Sequence, residues 1–170
     1  KGLFMKPFAS VPVYLLVCML GLSFAPLCQG GDLAEEQAWQ TTPKILARIT
    51  PPVFPDKEFF ITDYGAVGDG KTNCTEAFQK AIAAGVRNGG GKVVVPAGTF
   101  YTGPIHLKSG INLHLKDGAV VLFSTDPKDY LPAVFTRFEG IECINYSPLI
   151  YAFEQENIAI TGSGTLDGNA

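Results

Sequence analysis

The hydrophobic period of this chain changes at Gly89-Gly90-Gly91, and that change limits the folds open to it. Ahead of the glycines, Phe78, Ile82 and Val86 recur at i, i+4 and i+8, with Ala77 and Ala81 beside them. This is the apolar stripe of an amphipathic helix. Behind the glycines come short apolar or alternating runs at 93–95, 99–101, 105–107, 112–115 and 120–123, then again at 149–152, 157–160 and 162–168. Pro96, Gly98, Gly103, Gly110 and Gly118 punctuate them. Short strands in such a series predict an all-β sandwich, barrel or β-solenoid. Helical stretches of about 10–15 residues, which a βαβ sheet needs between its strands, do not separate them. Ile105-His-Leu-Lys-Ser-Gly110 echoes as Leu113-His-Leu-Lys-Asp-Gly118 at an offset of eight, placing His106 and His114 at equivalent points of two strands.

Composition narrows the class further. Of 170 residues 46% are apolar, too many for a disordered chain. A net charge of −3 lacks the basic footprint of a nucleic-acid binder. Mean hydropathy is +0.18, and much of it comes from Val11–Ala25, an uncharged run behind Lys6. Pro12 and Pro26 break this run, which is short for a membrane span of about 20 residues. With small residues at Gly30-Gly31 it reads as an export signal over residues 1–30. Removing Lys1 and Lys6 with it leaves 11 basic and 16 acidic residues, net −5. Cys18 and Cys28 leave too, and Cys74 and Cys143 do not amount to a disulfide framework; whether they pair stays open. No Cys/His group has the spacing of metal ligands.

Residues 31–57 form a lead-in, with a short helical pattern over 43–49 that Pro51-Pro52 and Pro55 stop. Glu58–Tyr64 reads as one strand and Gly65–Gly70 as a tight loop. Thr72 or Asn73 then caps a helix running to about Ala84, with Glu76 in its first turn.

Several residues invite a chemical role. Gly65–Thr72 fits Gly-x-x-x-x-Gly-Lys-Thr, a loop that cradles phosphate between a strand and a helix. Asp69 inside it sets a carboxylate where phosphate would sit, so a glycine turn is the expectation and nucleotide binding the last-ranked alternative. His106 and His114 alternate with apolar neighbours, as structural strand residues do. Arg137, Glu139 and Tyr146 are the candidates for sugar contact, Arg137 and Glu139 as a charged pair in a long loop. Asp167 precedes Gly168 and reads as a turn between strands. Asn73-Cys-Thr75 and Asn145-Tyr-Ser147 are glycosylation sequons.

From Ile61 onward a resemblance enters. Ile61–Asn73, Thr75–Ile82 and Gly89–Phe100 resemble the opening of pectate-lyase-superfamily β-helix proteins. Thr102–Ser109, Tyr130–Cys143, Asn145–Tyr151 and Asn157–Gly168 narrow it to glycoside hydrolase family 28, the polygalacturonases. The resemblance implies a right-handed, single-stranded parallel β-helix over 58–170, capped by the helix at 73–84 and incomplete at its C-terminal end. It implies inverting hydrolysis of α-1,4 links between galacturonic acid units or related pectic links. Such chemistry needs one carboxylic acid and one carboxylate base. The family motifs that supply them, Asn-Thr-Asp, Asp-Asp, Gly-His-Gly and Arg-Ile-Lys, do not occur here. No catalytic residue is therefore assigned, no cofactor or metal is expected, and the substrate-binding residues stay unnamed.

The expectation is the N-terminal part of an exported, secreted or periplasmic, monomeric pectin-degrading hydrolase, inactive alone. Its partner would be a galacturonan-type polysaccharide, with no nucleic acid and no membrane after signal removal. The alternatives are a non-catalytic carbohydrate-binding or adhesin-like solenoid, or a lyase or epimerase on the same fold.

Overall fold

The computed structural model describes residues 30–170, with side chains from residue 38 onward. The expected export signal therefore lies, apart from Gly30, outside the described residues. The chain divides into two units at Thr50 and Pro51. In the first, helix α1 spans Gly30–Leu46. It is longer than the helical pattern at 43–49 predicts, and Pro43 lies within it. Among the described residues no helix is long and apolar enough to cross a membrane.

The second unit is a parallel β-helix. Strands β1 (Glu58–Phe60), β3 (Gly91–Val95), β6 (Ile111–Leu115) and β11 (Ala159–Gly162) stack as one sheet. A second sheet stacks β2 (Asp69–Asn73), β4 (Gly98–Thr102), β7 (Ala119–Phe123) and β12 (Thr165–Asp167). A third pairs β5 (Ile105–His106) with β10 (Ile150–Tyr151). All pairings within these three sheets are parallel. Gly91 lies beside Ile111 and Gly98 beside Ala119, so the coil without insertions takes 20 or 21 residues, whereas the next, with its insertion, takes 45–47.

This repeat replaces the eight-residue echo. His106 belongs to the third sheet beside Tyr151, whereas His114 belongs to the first beside Val94 and Thr161. The two histidines are not equivalent, because the echo joins strands on different sides of one turn of the coil.

The inward residues repeat from coil to coil. Val93 sits beside Leu113, Val95 beside Leu115, and Phe100 beside Val121, all buried. Period-two alternation puts alternate side chains into the interior, and stacking aligns them in files. Helix α2 (Thr75–Arg87) closes one end of this core with Ala77, Phe78, Ala81 and Ile82. The N-cap is Cys74 and not the expected Thr72 or Asn73, and it makes no side-chain cap bond; Asn73 Oδ1 accepts from Thr75 N at 2.9 Å in an Asx turn that leads into the helix. Val86 is exposed, and Gly85 takes its expected place against Ile111. At about 3.6 residues per turn, i+7 returns closer to the starting face than i+8.

Two further expectations change. Glu58–Tyr64 is a strand only to Phe60; Ile61–Tyr64 is a 3₁₀ turn that buries Ile61 and ends on Gly65 at φ +97°. The supposed long loop around Arg137 contains an antiparallel hairpin, β8 (Val134–Phe138) and β9 (Ile141–Asn145), inserted between β7 and β10.

Candidate carbohydrate-facing site

The insertion carries the surface chemistry of the β-helix. Ser124, buried just past β7, anchors its first residues. Its hydroxyl accepts from Tyr101 Oη at 2.8 Å and donates to Asp129 Oδ2 at 2.5 Å. Tyr130 Oη donates to the Ser124 carbonyl at 2.6 Å, and burial pushes the Tyr130 phenol up from its usual pKa. The return of the insertion is held by His106. Ser147 Oγ donates to the Pro148 carbonyl at 3.0 Å and so receives the Nε2 proton of His106 at 2.9 Å. Burial, with the Lys108 charge second, holds the His106 pKa below its ordinary value. The Tyr151 ring packs on His106 at 5.1 Å. His106 is thus a neutral strut against a tilted tyrosine ring.

His114 has a comparable structural duty in another sheet. Thr161 Oγ1 donates to Asn112 Oδ1 and accepts from His114 Nδ1, both at 2.9 Å. This outward ladder ties β11 to β6. Among the described residues no group of three or more His, Cys, Asp or Glu could hold a metal ion.

The hairpin register brings Arg137 opposite Glu142 and Phe135 opposite Ile144 on one face. Arg137 Nη2 meets Glu142 Oε1 at 3.2 Å. Glu139, the partner expected from the sequence, occupies the turn at φ +48° instead. Glu139 lies beyond the end of the paired strand, whereas Glu142 stands directly across from Arg137. Phe135 packs edge-on against Phe153 at 5.0 Å, and Tyr151 Oη donates to the Phe135 carbonyl at 2.7 Å. Hairpin and Pro148–Phe153 segment enclose a cleft of about 470 Å³ that includes Arg137, Glu142, Tyr151 and Phe153. Tyr146 lies outside it and borders a smaller hollow with Leu131 and Ile144. Nothing in the sequence marked Glu142, Tyr151 or Phe153 for this cleft; an alternating 134–138 run facing 141–145 across a Glu-Gly turn was the available signal.

The remaining candidates are structural. Asp69 Oδ1 accepts from Lys71 N and Thr72 N, each at 2.8 Å, and Oδ2 accepts from Thr72 Oγ1 at 2.8 Å. The carboxylate itself fills the amides that a phosphate would need, and these bonds, led by that from Thr72 N, lower its pKa to about 2. Asp167 ends β12 and accepts from Asn169 N at 2.8 Å, as a turn residue does. Cys74 and Cys143 do not pair; Cys74 is buried at the foot of α2. Asn73 Oδ1 accepts from Thr75 N and Asn145 Oδ1 from Tyr146 N.

Residues 59–114 match the family described as rhamnogalacturonase A/epimerase, pectate lyase-like. An exo-poly-α-D-galacturonosidase of Dickeya chrysanthemi is 39% identical over 117 residues, covering 64% of this chain and 19% of the relative. The hyperthermoactive exopolygalacturonase of Thermotoga maritima superposes with a TM-score of 0.75 at 53% identity, over 78% of this chain and 30% of that one. The family 28 exopolygalacturonase of Yersinia enterocolitica gives 0.56 at 38% identity, over 67% and 21%. A plasmin and fibronectin-binding protein A of Streptococcus pneumoniae is 39% identical over 90 residues, 52% of this chain and 12% of the relative. The chain thus spans less than a third of the length of each of these relatives.

Parallel coils, a capping helix and these matches define a right-handed parallel β-helix of the pectate-lyase-like class. Within that class the chain is similar to family 28 polygalacturonases over about two thirds or more of its own length.

Proposed function

We propose that this chain supplies the capped opening coils of a hydrolase acting on pectic polysaccharide, with inversion at α-1,4-galacturonosidic or related links. The observation that carries it is the 53% identity to the Thermotoga exopolygalacturonase over coils stacked in three parallel sheets. Inversion requires an acid and a base about 6.5–9.5 Å apart across the scissile bond. The motifs expected to provide that pair are absent from these 170 residues. On this reading the chain by itself binds polygalacturonate and, lacking that pair, does not cut it.

The test is direct. Migration of the purified chain is retarded in gels containing polygalacturonate and unaffected by a neutral α-glucan. Incubation with polygalacturonate releases no reducing ends. Equal migration in all gels overturns the pectic substrate, and release of reducing ends overturns inactivity of the isolated chain. An unsaturated product absorbing in the ultraviolet would instead mark a lyase. Export through residues 1–30 and a monomeric state complete the proposal; signal cleavage is read by N-terminal sequencing of secreted protein.

A second reading is a non-catalytic adhesin-like solenoid, favoured by the Streptococcus match. Binding to immobilised fibronectin with no retardation by polygalacturonate would select it.

A further inference from the structure

We infer that the cleft between the β8–β9 hairpin and the Pro148–Phe153 segment is a subsite for one acidic sugar residue, with Arg137 taking the sugar carboxylate. This rests on the pectic reading for its ligand and goes beyond it in naming the place and the recognising groups. The cleft measures about 470 Å³, within the range of about 300–1,000 Å³ in which small ligands are held. It combines the two kinds of surface that a uronate ring presents. The C–H face of the ring meets Tyr151 and Phe153; the carboxylate and hydroxyls meet Arg137 and Glu142.

The aromatic side is rigid. Phe153 is wedged edge-on against Phe135, and Tyr151 is fixed both by His106 and by its bond to the Phe135 carbonyl. Strand β10 bonds to β5, so Tyr151 stands on the coil itself, and Phe153 follows it two residues on. A ring bound there meets a surface already ordered, which lowers the entropy lost on binding.

The polar side is only partly engaged. Arg137 meets Glu142 through one nitrogen, which leaves four of the five guanidinium N–H donors outside that contact. Both side chains are more than 60% exposed, so the pair contributes at most about 1 kcal/mol. A carboxylate received through two parallel N–H bonds is the stronger partner for an arginine. Glu142 then turns to accept from a ring hydroxyl, which places an acceptor beside the anion-binding donor and fits a sugar that carries both groups.

The experiment titrates the full chain with trigalacturonate, its methyl ester and trimannuronate. Affinity is read by calorimetry and position by amide shifts at Phe135, Tyr151 and Phe153. The expected result is binding of trigalacturonate with shifts at these residues, at least tenfold weaker binding of the methyl ester, and a tenfold or greater loss in Arg137→Ala. Arg137→Lys falls between, since it keeps the charge and loses the fork, and Glu142→Gln loses less than Arg137→Ala. Circular dichroism of the variants, altered only on the surface, matches that of the parent.

Trigalacturonate binding unchanged in Arg137→Ala overturns the subsite and leaves the pectic reading standing. Trimannuronate binding that depends on Arg137, with no trigalacturonate binding, upholds an acidic-sugar subsite and overturns the pectic reading. Absence of binding by all three ligands overturns the subsite.

Discussion

Gly162 closes strand β11 at φ +103°, and a Cβ there would overlap the Leu115 carbonyl oxygen of the coil below. Both the backbone conformation and the space call for glycine. Gly162→Ala is expected to cost about 1–3 kcal/mol, measured as a lower urea midpoint. Asp69 makes a different kind of local commitment. Its three accepted hydrogen bonds hold its folded pKa near 2 against an ordinary 3.8. A carboxylate with a depressed folded pKa contributes stability that is complete above the ordinary value and is lost as pH falls through the folded one. Asp69→Ala therefore melts below the parent at pH 6, and the gap narrows between pH 3.8 and about 2. Thermal scans across that interval check it. His106 adds to acid sensitivity at higher pH. Its lowered folded pKa favours the neutral ring, so stability declines as pH falls below its ordinary value near 6.5.

Among the elements, α2 shows how a cap is built from a pattern. Phe78 is 1% exposed and sits over the first coil, and Phe78→Ala is expected to destabilise by about 3–5 kcal/mol in chemical denaturation. On the solvent side Glu76 pairs with Lys80 at 3.0 Å in full view of water. Glu76→Ala is expected to change stability by no more than about 0.5 kcal/mol. The contrast tests whether the buried stripe, rather than surface charge, holds the cap in place. Helix α2 was legible because its stripe is local: residues three and four apart meet whatever the rest of the chain does. The hairpin was not, because its Phe135, Thr136 and Arg137 acquire a face only from partners across the turn.

For the molecule as a whole, each coil contacts only its neighbours, so stability follows position along the axis. Val93 and Leu113 are fully buried, whereas Ile160, the next residue in the same inward file, is 46% exposed. Leu166 is likewise exposed although it continues the file of Phe100 and Val121. Amide exchange should therefore be slowest in β3, β4, β6 and β7 and at least tenfold faster in β11 and β12. Uniform protection through all coils would contradict nearest-neighbour stacking. The proposed acidic-sugar subsite lies on an insertion in the connection from β7 of the second sheet to β10 of the third.

The amino-acid sequence by itself determined the strand-rich class, the switch of period at Gly91, the amphipathic helix before it and the glycine turns between strands. All of these depend on contacts within a few residues. The resemblance carried by Ile61–Asn73 and Gly89–Phe100 then pointed to the parallel β-helix. Only the tertiary structure decided that the shortest coil takes 20–21 residues and not eight, that His106 and His114 serve different sheets, and that Arg137 pairs with Glu142 and not Glu139. Parallel coils bring together residues a whole turn apart, and a hairpin pairs residues across its own axis. A local period of two states which residues alternate, but the register that gives each one its neighbours is set by packing between strands.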